Sequence, residues 1–344
     1  MLDADPNLPR AITGDEGYLP IHVAVYDKSF AFCKVLIKAY PESVRIRSDD
    51  DTGSSLPIHE ACRYGDRDDT VYTIQYLLEL YPESINVRDE HGYLPIHQAA
   101  QRNRADIVEL LLKYDPNAAL KKTEDEKKYL PLHLACQRLT LDIVKVLYDA
   151  YPQAIRVRGE EDGETPISIV ESGHVKRFLK AQVLYVRKAQ DRTPDANGWL
   201  PLHHALKDKA PLGSIRLLVE GNPSSVRIAD KKLAFPLHIA CEFSSVKIVR
   251  YLVEEHDGIA MLSHFDTSRD SILHYACRGA NLEVIKYLME NHPSLVASVE
   301  MNLNKELPLH LLCEAGKSRK NSDRTLYIET IWSMLLADPE ALVS

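Results

Sequence analysis

Apolar positions in this sequence fall into two kinds of burst that alternate along the chain. The first is a four-residue phrase: Leu19-Pro20-Ile21-His22, Leu56-Pro57-Ile58-His59, Leu94-Pro95-Ile96-His97, Leu130-Pro131-Leu132-His133, Leu200-Pro201-Leu202-His203, Phe235-Pro236-Leu237-His238 and Leu307-Pro308-Leu309-His310. Two looser copies, Thr165-Pro166-Ile167-Ser168 and Ser271-Ile272-Leu273-His274, fill the gaps. From each His (or Ser168) to the next, the steps are 37, 38, 36, 35, 35, 35, 36 and 36 residues, which makes nine copies. Alanine usually follows two positions after the His, as at Ala24, Ala61, Ala99, Ala135, Ala205, Ala240 and Ala276. The second burst has helical spacing, as in Ile107-Val108-Glu109-Leu110-Leu111-Leu112 and Ile143-Val144-Lys145-Val146-Leu147. Many copies then close on proline, as in Tyr40-Pro41-Glu42-Ser43, Tyr81-Pro82-Glu83-Ser84 and Tyr151-Pro152-Gln153-Ala154. A short alternating stretch follows, such as Val44-Arg45-Ile46-Arg47 or Ile155-Arg156-Val157-Arg158.

The elements follow from the residue types. Proline after the Leu suits the first turn of a helix, where its missing N–H does no harm. The first helix is therefore short, with a small Ala where a neighbouring helix comes close. A longer second helix returns antiparallel and ends at the later proline, which cannot continue it. The alternating stretch predicts an extended, hairpin-like turn into the next unit. A unit of this size cannot bury its apolar face alone, so neighbours must stack. The expected fold is an all-α solenoid forming one array over residues 1–344. Its approximate repeats are 15–47, 48–88, 89–124, 125–158, 159–193, 194–229, 230–265, 266–302 and 303–344.

Three copies are irregular. The second has an insertion around Tyr64-Gly65-Asp66-Arg67-Asp68-Asp69. The fifth has Ser168 for His and Val170 for Ala, and a short second helix is expected around His174 to Gln182. The ninth carries a polar insertion from Gly316 to Arg324, and the chain stops just after its second helix, without an evident capping helix.

The phrase, its phase and the helix pair resemble the ankyrin repeat, whose signature is Thr-Pro-Leu-His-x-Ala in units of ~33 residues. The resemblance runs from about Asp15 to Val343. Leu usually replaces the Thr that caps the first helix, and only Thr165 and Ser271 keep a hydroxyl there. The cap must then come from elsewhere, with the imidazole as the candidate. The resemblance implies a non-catalytic scaffold that binds another protein through its turn tips and the exposed ends of its first helices. The tip position reads Tyr18, Ser55, Tyr93, Tyr129, Glu164, Trp199, Ala234, Asp270 and Glu306. Beside the tips lie Arg63 and Tyr64, Gln101 and Arg102, Gln137 and Arg138, then Lys207 and Asp208. Aromatic and Arg side chains anchor interfaces. The candidate partner-binding set is therefore Tyr18, Arg63, Tyr64, Tyr93, Gln101, Arg102, Tyr129, Gln137, Arg138, Trp199 and Lys207. The expected partner surface is apolar with some acidic character and sits over repeats one to six.

Composition narrows the chemistry. The 344 residues carry 42 Lys and Arg against 50 Asp and Glu, a net of −8, which disfavours a polyanion-binding surface. Lys121-Lys122 and Lys127-Lys128 are interleaved with Glu124, Asp125 and Glu126, so nucleic acid is not expected as a partner. No uncharged run approaches the ~18 residues of a membrane span; the longest is His91 to Gln101. Eight of 14 histidines occupy the repeat position. Stacked at ~8–10 Å they cannot converge on one ion, which needs bonds of ~2.1 Å. Each is expected to bond backbone at its own helix start or the adjacent turn. Cys62, Cys136, Cys241, Cys277 and Cys313 lie three residues after the repeat His, too far apart for disulfides, and read with Cys33 as small buried apolar residues. Reduced thiols fit a cytoplasmic or nuclear setting. Gly316-Lys317-Ser318 mimics the end of a phosphate-binding loop, but Leu311 stands where the motif needs Gly. Asp49-Asp50-Asp51 lacks the calcium-loop pattern. No cofactor, metal, catalytic residue or membrane insertion is therefore expected, and the chain should be monomeric. The alternative is a regulatory or targeting segment of a larger protein.

Overall fold

The computed structural model describes residues 17–48, 54–102, 104–171, 173–256, 258–293, 295, 301–316 and 324–337. The described residues form helices in pairs, with a single isolated bridge between Phe265 and Ser271. The chain divides into two compact units, Met1–Ala181 and Gln182–Ser344.

In the first unit the pairs are α1 (Pro20–Asp27) with α2 (Phe30–Ala39), α3 (Pro57–Tyr64) with α4 (Thr70–Leu80), α5 (Pro95–Ala100) with α6 (Ala105–Tyr114), and α7 (Pro131–Arg138) with α8 (Leu141–Ala150). Then comes α9 (Pro166–Ile169), and α10 (Gly173–Lys188) runs across the boundary. The second unit contains α11 (Pro201–Lys207) with α12 (Leu212–Gly221), α13 (Pro236–Phe243) with α14 (Val246–Arg250), α15 (Ile272–Arg278) with α16 (Leu282–Asn291), and α17 (Pro308–Gly316) with α18 (Arg324–Ala337). Within each unit first helices stack on first helices and second on second, so α3 packs on α1 and α5, and α4 on α2 and α6. The core between the rows is built from the phrase residues and the second-burst aliphatics, such as Leu94, Ile96, Ala99, Ile107, Val108 and Leu111.

The helix starts confirm the imidazole as the cap. In α3 the Leu56 N–H donates to His59 Nδ1 at 3.2 Å, and the His59 N–H donates back to the Leu56 carbonyl at 2.9 Å. The same bond onto Nδ1 recurs at His22, His97, His133, His203, His238, His274 and His310. Nδ1 accepts, so the proton sits on Nε2. That nitrogen donates to a carbonyl of the turn leading to the next pair: Ile46 from His22, Val87 from His59, Lys121 from His97 and Val157 from His133. His238 and His274 do the same to His264 and Glu306. His203 keeps only the first bond; its buried Nε2 has no partner among the described residues. Where the hydroxyl survives it caps as well: the Thr165 and Ser271 oxygens accept from the Ser168 and His274 N–H groups at 3.3 and 3.4 Å.

The structure corrects the sequence at several places. The chain after the closing proline first makes a 3-10 turn, at Pro41–Arg45, Pro82–Asn86, Pro116–Leu120, Pro152–Arg156 and Pro223–Arg227, and becomes extended only from Ile46, Val87, Lys121, Val157 and Ile228. The fixed φ of proline starts the turn. The Ser43 and Ser84 hydroxyls tie it to the Tyr40 and Tyr81 carbonyls at 2.6 Å, and Val44 and Ile85 are buried beneath. In the fifth repeat the second helix is not short. The 16 residues of α10 make it long, while α9 has only four. In the seventh, α14 runs on into a π-helical turn, Tyr251–Glu255. Cys33, Cys62, Cys136, Cys241 and Cys277 are buried as expected, but Cys313 is exposed. The expected acidic turn at Asp49–Asp51 and most of the ninth-repeat insertion lie outside the described residues.

Two stability predictions follow from this packing. Ala135 is fully buried in α7 against the neighbouring first helices. Ala135→Leu overpacks that seam and should cost ~1–3 kcal/mol, read as an earlier thermal melt; a melt equal to the parent contradicts the packing. The second concerns acid. Burial holds His59, His97, His203 and His238 at a pKa of about 4, against 6.5 for a free imidazole, and lowers His133 and His274 too. Between those values the unfolded chain binds more protons than the folded one, so stability is lost as pH falls through that window. Each such His contributes up to ~1.4 kcal/mol per pH unit there. The urea midpoint should hold steady above pH 7 and fall steeply below pH 6.5. A midpoint unchanged from pH 7 to pH 5 contradicts the buried neutral ladder.

Candidate functional site

Five of the turns between pairs share one construction. In the turn at 89–93 the Asp89 N–H donates to the Tyr93 carbonyl at 2.9 Å, and the Tyr93 N–H returns to Asp89 Oδ1 at 2.8 Å. Gly92 precedes the tip residue at φ +75, the left-handed region that glycine enters without strain. The same frame recurs at Asp195–Trp199, Asp230–Ala234, Asp266–Asp270 and Asn302–Glu306. Backbone bonds join consecutive tips. In the first unit the Glu124 N–H meets the Gly92 carbonyl at 3.1 Å, and the Glu160 N–H meets that of Lys127 at 2.9 Å. In the second unit Lys231 bonds Asn197, Thr267 bonds Lys232 and Leu303 bonds Ser268, at 3.0, 2.8 and 2.9 Å. The Asp or Asn four residues before the tip was missed from sequence, although its repeat at 89, 195, 230, 266 and 302 is in plain view.

Tip aromatics are engaged across turns. Tyr18 is half-buried and lies edge-on to His22 at 5.8 Å. Tyr93 packs on His97 at 5.9 Å, and its hydroxyl donates to Asp125 Oδ2 of the next turn at 3.2 Å. Burial, with the Asp125 charge beside it, pushes that phenol up to about 12. Trp199 stacks on His203 at 6.0 Å and its Nε1–H donates to Asp230 Oδ2 at 2.8 Å. Tyr129 goes further. It is only 1% exposed, stacks on His133 at 4.8 Å, and its hydroxyl donates to both Asp162 and Glu164. Its ring therefore faces the fold rather than a partner.

The residues beside the tips are more open. Tyr64, at the end of α3, is 49% exposed and meets Tyr26 edge-on at 5.7 Å. The Arg102 and Arg63 guanidiniums lie 5.3 and 5.8 Å from its ring centroid. Arg63 is held in place by Asp89 at 3.2 Å and by Gln98 Oε1 at 3.1 Å, and Asp89 is itself buried. Gln101 is half-buried, while Arg102, Gln137 and Arg138 are exposed. Lys207 sits 5.1 Å from the Trp199 ring centroid. The first unit thus brings Arg63, Tyr64 and Arg102 into one cation–aromatic cluster next to Gln101, whereas Tyr18 and Tyr129 stand outside it.

The chemistry on offer is recognition. Guanidinium groups over an exposed phenol suit carboxylate and aromatic contacts. Burial pushes the Cys33 thiol up to about 11 and the Cys136 thiol up to about 12, away from the thiolate a nucleophile needs. Among the described residues no group of three or more His, Cys, Asp or Glu could hold a metal ion. Nor is any helix there long and apolar enough to cross a membrane.

Comparison with known proteins agrees with the architecture. The family model for ankyrin repeats (3 copies) matches residues 21–122, 58–159, 168–261 and 210–300. The chain is similar to Ankyrin repeat domain-containing protein 49 of Drosophila melanogaster, 29% identical over 69 residues, which is 20% of this chain and 32% of that protein. The match thus spans about a third of the relative's length. Ankyrin repeats are generally protein–protein interaction modules. With that family model covering most of the sequence, and helix pairs opened by Pro and His along it, the chain belongs to the ankyrin repeat family.

Proposed function

We propose that this chain is a non-catalytic protein–protein interaction scaffold, made of nine ankyrin repeats in one array and working inside the cell as a monomer. The observation that carries the proposal is the cluster at the ends of α3 and α5. An exposed tyrosine framed by two guanidiniums, one of them pinned by a buried carboxylate, is a rigid and open contact surface. Rigid aromatic and Arg groups lose little entropy on binding. The partner surface is apolar with some acidic character. Tyr64, Arg63, Arg102, Gln101, Gln137 and Arg138 carry the contact in the first unit, and Lys207 over Trp199 offers a contact of its own in the second. Tyr93 and Trp199 contribute a ring face each, while their polar atoms hold neighbouring turns together. Five buried reduced cysteines support an intracellular setting.

The test is affinity capture of a partner from the native cell extract, followed by calorimetric titration of variants. Tyr64→Ala with Arg102→Ala should weaken binding ten-fold or more, about 1.4 kcal/mol, with the thermal melt little altered. Tyr93→Ala with Trp199→Ala should lower both binding and the melt, because it also removes the bonds to Asp125 and Asp230. Unchanged binding in the first pair, or a loss fully accounted for by unfolding, contradicts the proposal.

A further inference from the structure

The two units dress their turn tips differently. In the first unit tip cations are matched across turns by tip carboxylates: Arg88 with Glu124 at 2.9 Å, Lys122 and Lys128 with Glu160 at 3.3 and 2.8 Å, and Lys127 with Asp162 at 3.9 Å. In the last three turns of the second unit the Asp carboxylates are turned inward. Asp230, Asp266 and Asp270 are buried and serve the Trp199 indole, the Tyr275 hydroxyl, Arg278 and backbone N–H groups. The Glu306 carboxylate is taken by the Asn302 amide at 3.3 Å. Outside them Lys231, Lys232 and Lys305 are exposed, with no ion pair among the described residues.

Two exposed leucines stand in the same row. Leu233 is 55% exposed and Leu303 65%. Leu233 occupies the position before the tip at φ +61, where three turns use Gly92, Gly163 and Gly198 and three others carry Lys128, Arg269 and Lys305. A leucine in this left-handed region is strained, and more than half of its surface is open to solvent. The row is continuous, because the backbone of each tip bonds the next from Asn197 through Lys231–Lys232 and Thr267–Ser268 to Leu303.

From this we infer a second docking surface, the outer edge of the turns at 230–234, 266–270 and 302–306, that takes an extended acidic peptide segment carrying large aliphatic side chains. The lysines supply the charge that no carboxylate of the row answers, and Leu233 and Leu303 supply apolar anchors. Three turns at ~8–10 Å spacing span ~20 Å, which an extended chain rising ~3.3 Å per residue covers in about six residues. The surface is separate from the Tyr64–Arg102 cluster and does not depend on it.

The experiment is selection of a phage-displayed random dodecapeptide library on the immobilised full chain, alongside a Lys231→Glu, Lys232→Glu, Lys305→Glu variant. Wild type should enrich peptides rich in Asp and Glu that also carry Leu or Ile, and the variant should not. A fluorescein-labelled consensus peptide should bind wild type at least ten-fold more tightly than the triple variant. Leu233→Gly should bind at least three-fold more weakly yet melt higher, an opposite pairing that a purely structural leucine cannot produce. Tyr64→Ala with Arg102→Ala should bind the peptide as wild type does, which separates this surface from the proposed scaffold contact. Should the charge-reversed form melt early, the Lys→Gln form of the same three positions should still lose binding at least five-fold. No acidic enrichment, equal enrichment on the variant, or a Leu233→Gly that melts lower overturns the inference. So does a consensus peptide that binds equally well with its aliphatic residues changed to Ser and is displaced by heparin, the mark of a general polyanion surface.

Discussion

The repeat imidazole, used at both of its nitrogens at His22, His59, His97, His133, His238 and His274, is the interaction on which the rest of the fold depends. Nδ1 accepts the amide that opens the first helix, and Nε2 donates to the turn that leads to the next pair. Helix start and turn are thereby locked at a fixed distance. That lock lets Leu stand where a hydroxyl would otherwise cap the helix, adding an apolar side chain to the core at Leu56, Leu94, Leu130 and Leu200. It also requires a neutral ring. A proton on Nδ1 would set two donors against each other, in a site where burial already disfavours charge.

With the turns held in register, their outer edges become the part of the molecule free to vary. Aromatic residues divide between two tasks according to their reach. Tyr129 turns inward and spends its hydroxyl on Asp162 and Glu164, and so builds the fold. Tyr64 lies past the end of a helix with its ring open and flanked by cations. Tip lysines divide in the same way: in the first unit Lys122 and Lys128 meet carboxylates of the next turn, and in the second Lys231, Lys232 and Lys305 have no ion pair among the described residues. Recognition and cohesion thus draw on the same few positions in each repeat.

Helix pairs were legible because the phrase is redundant. Pro at the first helical position, His three residues past the Leu and Ala two further on all point to one structure, and the missing Thr pointed to the ring as cap. The 3-10 turn was not legible, because Val44-Arg45-Ile46-Arg47 alternates as a strand does, and only the packing of Val44 under the Ser43–Tyr40 bond distinguishes the two. The length of α10 was hidden because its buried stripe, Val175, Leu179, Tyr185 and Val186, is interrupted by the polar Gln182, which is itself buried. At the candidate surface, the burial of Tyr129 depends on carboxylates 33 and 35 residues away, beyond what a single turn discloses. Gly198 shows the left-handed position plainly, whereas Leu233 conceals it until the backbone is seen.

The central claim is that the imidazoles of His22, His59, His97, His133, His238 and His274 are neutral Nε2–H tautomers, each locked between two backbone groups. Long-range proton–nitrogen NMR correlation of the histidine side chains, followed from pH 7.5 to 5, tests it directly. The predicted result is that His59, His97 and His238 show a single Nε2–H pattern, with Nδ1 resonating as an unprotonated acceptor, and stay neutral for as long as the protein remains folded. Rings in tautomer exchange that titrate near the free value of 6.5 while the fold persists would contradict the account.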